Sequence, residues 1–147
     1  MLWDKYQLPT EPPALQQPVT LTEAERVEAE RILNNLSTAL NALPVVLSQQ
    51  GSVECAARTT KAEAAERIAQ ASHRIWQEGA TCPAREVIRF AEEAIGEPPE
   101  RTNVMIYSAH VTGALTLSIG WRPSISLTQL RAEAADAGRE LRRLLGV

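Results

Sequence analysis

The chain has 147 residues, of which 44% are hydrophobic and 22% are charged, and its formal net charge is -3. These values predict a single globular domain of ordinary composition. Binding to nucleic acid requires an excess of basic side chains facing the phosphates, so the slightly acidic balance argues against that class of partner.

The first 19 residues are rich in proline, which disfavours helices and strands. We therefore predict a flexible N-terminal tail at 1–19 and a single domain at 20–147. Hydrophobic side chains in the tail leave an alternative open, in which it docks on the domain or on a partner: Leu2, Trp3, Tyr6 and Leu8.

We expect a cytoplasmic protein that does not insert into membranes. Asp4 and Lys5 interrupt the N-terminus, and no apolar run typical of a signal peptide follows. Cys55 and Cys82 lack the spacing of a metal site, which favours free thiols in a reducing compartment. The uncharged stretch 102–121 is long enough to span a bilayer, but the polar residues scattered through it favour two strands.

The first helix is predicted to begin at Thr20, because Thr20 and Glu23 match a capping box and hydrophobic residues recur at helical spacing up to Pro44. A hairpin follows, with strands at 44–48 and 53–57. Its turn is predicted at Gln50 and Gly51.

The second helix is predicted to begin at Thr60, where Glu63 completes another capping box, and to end at Gly79. Its less polar side consists largely of small residues. Such a side can approach a neighbouring surface closely, which favours packing on a sheet or on a copy of itself.

The segment 85–95 is ambiguous. Its hydrophobic residues fit a helical period, and periodicity alone favours a helix. Ile88 and Phe90 could instead lie on one face of a strand, flanked by Glu86 and Glu92.

The last hairpin is predicted at 104–111 and 114–121, because Thr112 and Gly113 form a favourable two-residue turn. Such a turn would place Ile106 on the same face as Leu117 and Ile119. A third helix follows from Ser126, which forms a capping box with Gln129, and Gly146 ends it.

The sequence offers no convincing set of catalytic or metal-binding residues. His73 falls on the polar side of the second helix and His110 lies beside a turn, and neither has an acid or a thiol at a meaningful spacing. The phosphate-binding loop and the nucleophile motif of hydrolases are both missing. We therefore expect a protein-binding module that is not an enzyme and needs no cofactor or metal.

The order of predicted elements is helix, strand, strand, helix, ambiguous segment, strand, strand, helix. This order resembles the roadblock/LC7 domain, in which the ambiguous segment is a third strand. The resemblance covers 20–146, and the run from Asn103 to Trp121 followed by the helix from Ser126 carries most of it. It implies an α+β fold with a five-stranded antiparallel sheet, the first and third helices on one face and the second helix on the other.

The resemblance also implies how the chain meets its partners. In this family the third strand is an edge strand that pairs with its copy, while the second helices lie side by side. A homodimer interface is therefore implied at or near six residues: Val87, Ile88, Phe90, Ile68, Ser72 and Ile75.

Bacterial members of the family regulate small Ras-like GTPases, some of them by shaping the switch regions of the GTPase without donating an arginine. This implies a GTPase-regulating or scaffolding partner here, with contacts on the second helix: Arg67, Gln70, His73 and Arg74.

Two alternatives stay open. One is a sensory module that binds a small ligand in a pocket between sheet and helix, with inward polar groups such as Ser108 or His110. The other is a structural scaffold whose whole function is dimerisation.

Overall fold

The structure is a computed structural model that describes residues 13–78, 85–95 and 102–147. Within these residues the helices and strands follow the predicted order. The helices are α1 (Glu23–Ala39), α2 (Ala62–Glu78) and α3 (Leu127–Leu144). The strands are β1 (Val45–Gln49), β2 (Ser52–Ala56), β3 (Glu86–Ile95), β4 (Thr102–Thr112) and β5 (Leu115–Trp121).

The five strands form one antiparallel sheet in the order β2-β1-β5-β4-β3. α1 and α3 pack against each other on one face of the sheet, and α2 covers the other face. The core is therefore divided into a larger part under α1 and α3 and a smaller part under α2. This arrangement confirms the predicted α+β class and its layering.

The ambiguous segment is a strand, β3, at the edge of the sheet. Its helical period was misleading. Val87 packs on the core under α2, and its neighbour Ile88 packs on the core under α1 and α3. A strand sends successive side chains to opposite faces, so as a strand this segment contributes side chains to both cores. As a helix it could contribute side chains to only one of them.

The last hairpin contains a bulge that the sequence did not predict. Residue pairing shifts between His110 and Thr112, which adds one residue to β4. The shift places Tyr107 beside Ile119, whereas Ile106 lies opposite Gly120 on the α2 face. The predicted grouping of Ile106 with Leu117 and Ile119 is therefore wrong, since a shift of one residue exchanges the two faces of a strand.

The helix caps follow the predicted chemistry at partly different residues. Thr22, rather than Thr20, caps α1 and forms the capping box with Glu25. Ser126 caps α3 as predicted, accepting a hydrogen bond from the Gln129 amide at 3.1 Å. Thr60 lies ahead of α2, and its hydroxyl accepts a hydrogen bond from the Val45 amide at 3.0 Å. That bond ties the start of α2 to the start of β1.

The residues 13–19 lie against the sheet and not away from it, so we refer to them as the strap. Pro13 is buried, and the turn of 3-10 helix from Pro13 to Leu15 packs against α2. The Ala114 amide donates to Gln17 O at 3.0 Å. Backbone groups of this part of the predicted tail are bonded to both hairpins, so it lies docked on the domain, while the flexibility of the tail stays a prediction.

Gln49 fastens the strap at its C-terminal end. Its side chain accepts a hydrogen bond from the Val19 amide at 2.8 Å and donates one to Val19 O at 2.7 Å. The hydrophobic side chains predicted to dock from the tail, and the exact boundary of the domain, lie outside the described residues.

Candidate interaction site

The two edges of the sheet differ in how far they are closed. β2 has five residues and a register shift in its pairing with β1, and Arg26 of α1 covers it. Arg26 donates to Glu54 O at 2.7 Å and pairs with the Glu54 carboxylate at 2.6 Å. Short, bulged and capped strands resist pairing with another chain, so this edge is protected.

The β3 edge is longer and is protected in part, because its pairing with β4 also shifts in register between Phe90 and Ala94. β3 has ten residues, and Phe90 on it is 60% exposed. Arg89 donates to Ile88 O at 2.8 Å, so one carbonyl of the strand is already occupied. A long edge strand with an exposed aromatic ring is a typical site for pairing with another strand.

Arg89 was not identified from the sequence, although a local signal for it exists. A charged side chain among the apolar residues of a strand is one of the ways in which proteins restrain an exposed edge. An incoming strand would have to displace or share the bond that Arg89 makes to Ile88 O.

Glu86 is the first residue of β3, and two side chains hold it in place. Tyr107 on β4 donates to its carboxylate at 2.6 Å, and Arg131 on α3 pairs with it at 2.8 Å. Burial, followed by this bond to Glu86, raises the pKa of the Tyr107 hydroxyl well above its usual range. The start of the edge strand is thus tied both to its neighbour and to a helix.

The six residues predicted for a dimer interface do not share one surface in the single chain. Ile68, Ser72 and Ile75 lie on the inner side of α2 and are buried against the sheet. Val87 and Ile88 are half-buried on opposite faces. Phe90 is the exposed member of the set. Their place in an interface stays a prediction.

The four residues predicted to bind a partner lie on α2 with different exposure. Arg67, Gln70 and Arg74 follow one stripe at helical spacing, in which Gln70 and Arg74 are exposed. Arg67 is half-buried and pairs with Glu63 at 2.5 Å. His73 is turned aside and half-buried, close to Gly51 in the turn between β1 and β2. The role of this polar stripe in binding also stays a prediction.

Ser108 belongs to a closed polar cluster under α2. The Trp76 indole donates to its hydroxyl at 2.9 Å, and hydrogen bonds of 2.9–3.0 Å link the hydroxyls of Ser72, Ser108 and Ser118. All four side chains are buried. The pocket imagined between helix and sheet is absent at this point of the described structure, because polar groups fill it and satisfy each other.

The described residues contain no group of three or more His, Cys, Asp or Glu side chains that could hold a metal ion. Burial raises the pKa of the Cys55 thiol to about 12, so the reactive thiolate is scarce at neutral pH. Cys82 lies outside the described residues. None of the described helices combines the length and the apolar character needed to cross a membrane.

Comparison with known proteins shows where this fold occurs. No protein-family model matches the chain, and no curated protein matches it in sequence. Among solved structures, the gliding protein MglB from Thermus thermophilus has a TM-score of 0.68 to this chain, covering 88% of it and 97% of MglB at 13% identity. This chain has the MglB fold.

Two further MglB structures support the same conclusion. Myxococcus xanthus MglB is 15% identical, with a TM-score of 0.65 over 87% of this chain and 95% of its own. An MglB with a tetrameric arrangement is 13% identical, with a TM-score of 0.68 over 88% and 96%. At such identities the likeness to MglB establishes the fold.

Proposed function

We propose that this chain is a non-catalytic regulator of a small Ras-like GTPase, acting in the cytoplasm as a homodimer joined through β3. The observation that carries the proposal is the contrast between the two sheet edges. β2 is closed by Arg26, whereas β3 presents a ten-residue edge with an exposed aromatic ring. The MglB fold supports the regulatory role, because MglB is a small-GTPase regulator.

Pairing through β3 would join two five-stranded sheets into one. Every residue of β3 carries a backbone donor and a backbone acceptor, and half of these groups face away from β4. Phe90 would be covered by the second copy, and burying an aromatic side chain contributes about 1.5–3 kcal/mol. The likeness to an MglB with a tetrameric arrangement agrees with a fold that can associate with itself.

The GTPase would bind the outer stripe of α2. This helix packs more extensively on β3 than on any other strand, so dimerisation through β3 would bring two copies of the stripe near each other. Arg67, Gln70 and Arg74 then provide a polar surface with positive charge. We assign His73 a lesser part, since it is half-buried beside Gly51.

Light scattering tests the dimer. We expect the wild-type mass to be that of two chains and Phe90→Arg to be monomeric, because an added charge opposes pairing. Val27→Arg is the matched control, since Val27 is 62% exposed on α1, away from β3. A wild-type protein that remains monomeric at high concentration would contradict the proposed assembly.

GTP hydrolysis tests the regulatory role. The chain is mixed with a small Ras-like GTPase from the same organism, and binding and single-turnover hydrolysis are followed. We expect faster hydrolysis, reduced by Arg74→Glu and unaffected by Arg143→Glu on the opposite layer of the fold. Binding with an unchanged rate would indicate a scaffold, and the absence of binding would remove the GTPase from the proposal.

A further inference from the structure

A groove of about 1030 Å³ opens on the face of the sheet that α3 covers. Its walls are the strap, the first residues of β3, the far end of β4 and the outer side of α3. This volume is at the upper end of those that hold small organic ligands. The lining combines apolar residues, such as Leu15, Ala109 and Val111, with charged and polar ones, such as Glu86, His110 and Arg142.

The groove exists because α3 carries small side chains on this side and covers the sheet only as far as β4. Ala134, Ala135 and Gly138 present little side-chain volume towards it. α3 packs on β4 but makes little contact with β3, so the sheet beyond β4 is left uncovered on this face. The strap then closes the end of the groove.

Arg142 is folded into the groove over Gly138. A Cβ atom at residue 138 would lie 3.4 Å from one terminal nitrogen of its guanidinium and 3.7 Å from the other. The guanidinium therefore rests over the bare backbone one helical turn earlier. It forms no ion pair or hydrogen bond with another described side chain.

By formal charge the described lining is positive, with Arg85 and Arg142 against Glu86. Arg85 begins the wall opposite α3, where its carbonyl accepts a hydrogen bond from the His110 amide at 2.8 Å. Glu86 is the single acid among the described lining residues, and its carboxylate is already engaged by Arg131 and Tyr107. A positive groove in a chain of net charge -3 is a local feature.

His110 lies in the wall of the groove and reports on its charge. Its Nε2 is 2.8 Å from Gly113 O. Burial lowers the pKa of His110, the bond to Gly113 opposes that shift, and the charges of Arg142 and Arg85 lower the pKa further. The ring is therefore neutral at pH 7 and sensitive to any charge that enters between it and Arg142.

We propose that this groove binds an organic anion, a carboxylate or phosphate group on an apolar body, with Arg142 contacting the anionic group. Planar guanidinium groups bind carboxylate and phosphate well because they offer several donors in one plane. The apolar body would lie on Leu15, Ala109 and Val111. This site lies away from the outer stripe of α2 and shares only the first residues of β3 with the proposed dimer, to which it would add ligand control.

Probes with one eight-carbon chain and different head groups test the proposal. Octyl phosphate and octanoate are titrated into the wild-type protein, with octanol as the neutral control, while NMR follows the His110 ring. We expect both anions to bind and to raise the pKa of His110, because a nearby negative charge favours the protonated ring. The anion that binds more tightly identifies the head group that the groove prefers. Octanol should leave the pKa of His110 unchanged.

Paired arginine variants locate the anion. Arg142→Gln should weaken binding of the tighter probe about tenfold, the loss of one charged hydrogen bond. It should also raise the pKa of His110 in the free protein. Arg143→Gln, at the exposed neighbouring position, should change neither.

Several results would overturn the proposal. The first is a pKa of His110 that neither anion changes. The second is binding of octanol as tight as that of the anions. The third is an equal loss of affinity in Arg142→Gln and Arg143→Gln. Phe90→Arg should bind the probes like wild type, so a failure of the dimer would not be mistaken for a failure of the groove.

Discussion

The cluster under α2 shows how three hydroxyl groups and an indole can be buried without losing their hydrogen bonds. Around the triangle of Ser72, Ser108 and Ser118 each hydroxyl can donate once and accept once, and Ser108 accepts the indole of Trp76 in addition. Every donor is then satisfied in a setting that water does not reach. The small volume of serine also lets α2 lie close to the sheet.

Removing the Ser108 hydroxyl should therefore lower the free energy of unfolding more than removing the Ser118 hydroxyl. Ser108→Ala leaves the buried Trp76 indole without its acceptor, and we expect a loss of about 1–3 kcal/mol in the free energy of unfolding. Ser118→Ala leaves that bond intact and should cost less. Denaturant unfolding of both variants measures the difference, and equal losses would show that the indole bond is unimportant.

Gly113 is required at the contact between the strap and the second hairpin. Its φ is +54°, and a Cβ atom there would lie 2.7 Å from Val19 Cγ2 and 2.8 Å from Gln17 O. Gly113→Ala should therefore release the strap as well as strain the turn.

We expect Gly113→Ala to destabilise the fold by more than about 1 kcal/mol, the usual cost of a positive φ for alanine. Gly146→Ala is the matched control, because Gly146 has a φ of +75° and no atom within 4 Å of a built Cβ. Thermal unfolding compares the two, and hydrogen exchange of the Ala114 amide reports on release of the strap. Equal effects would mean that the strap contributes nothing to the penalty.

At the scale of elements, the two outer strands of the sheet have opposite roles. β2 is closed by an arginine from α1 that binds both the carbonyl and the carboxylate of Glu54. β3 is anchored at its start through Glu86. Arg89 binds its Ile88 carbonyl and its register shifts after Phe90, but its outer side pairs with no described strand. In the proposed assembly, pairing through β3 alone would give a closed dimer.

The cap on β2 gives a test at this scale. Arg26→Ala would leave the Glu54 side chain, which is 13% exposed, without its cation. We expect a loss of about 1–2 kcal/mol in unfolding free energy and increased aggregation through the opened edge. Arg31→Ala removes an exposed ion pair with Glu28 on the same helix, and it should change neither property. Aggregation of both variants to the same extent would contradict a protective role for Arg26.

At the scale of the whole molecule, two helices cover one face of the sheet and one helix covers the other. The arrangement leaves open β3 at one edge and the groove beside α3. The groove follows from the little contact that α3 makes with β3, whereas the open edge follows from β3 being the last strand of the sheet. The proposed dimer and the proposed ligand site use these two openings separately.

A dimer must also show itself in thermal stability. Because folding and association are coupled, the Tm of the wild-type protein should rise by about 2 °C for each tenfold increase in concentration. The Tm of Phe90→Arg should be independent of concentration, whereas Val27→Arg should behave like wild type. Calorimetry at three concentrations measures this, and a constant wild-type Tm would argue against a dimer.

The elements that the sequence predicted correctly are those with a local physical signal. The turn at Gln50 and Gly51 has positive φ at both residues, as its composition indicates. Ser126 caps α3 where the capping pattern places it. The cap of α1 was displaced by two residues because Thr20 and Thr22 both satisfy the pattern, and burial of Leu21 distinguishes them only in the folded chain.

The order of elements and the absence of a local catalytic motif were thus readable from the sequence alone, because neighbouring residues determine them. Only the tertiary structure decided that 86–95 is a strand, that a bulge exchanges the faces of β4, and that the strap is docked. These depend on partners distant in sequence, such as β4 for β3 and Gln49 for Val19. The Arg142 groove belongs to the same class, since Arg142 and Gly138 come from α3, whereas Arg85, His110 and the strap come from other parts of the chain.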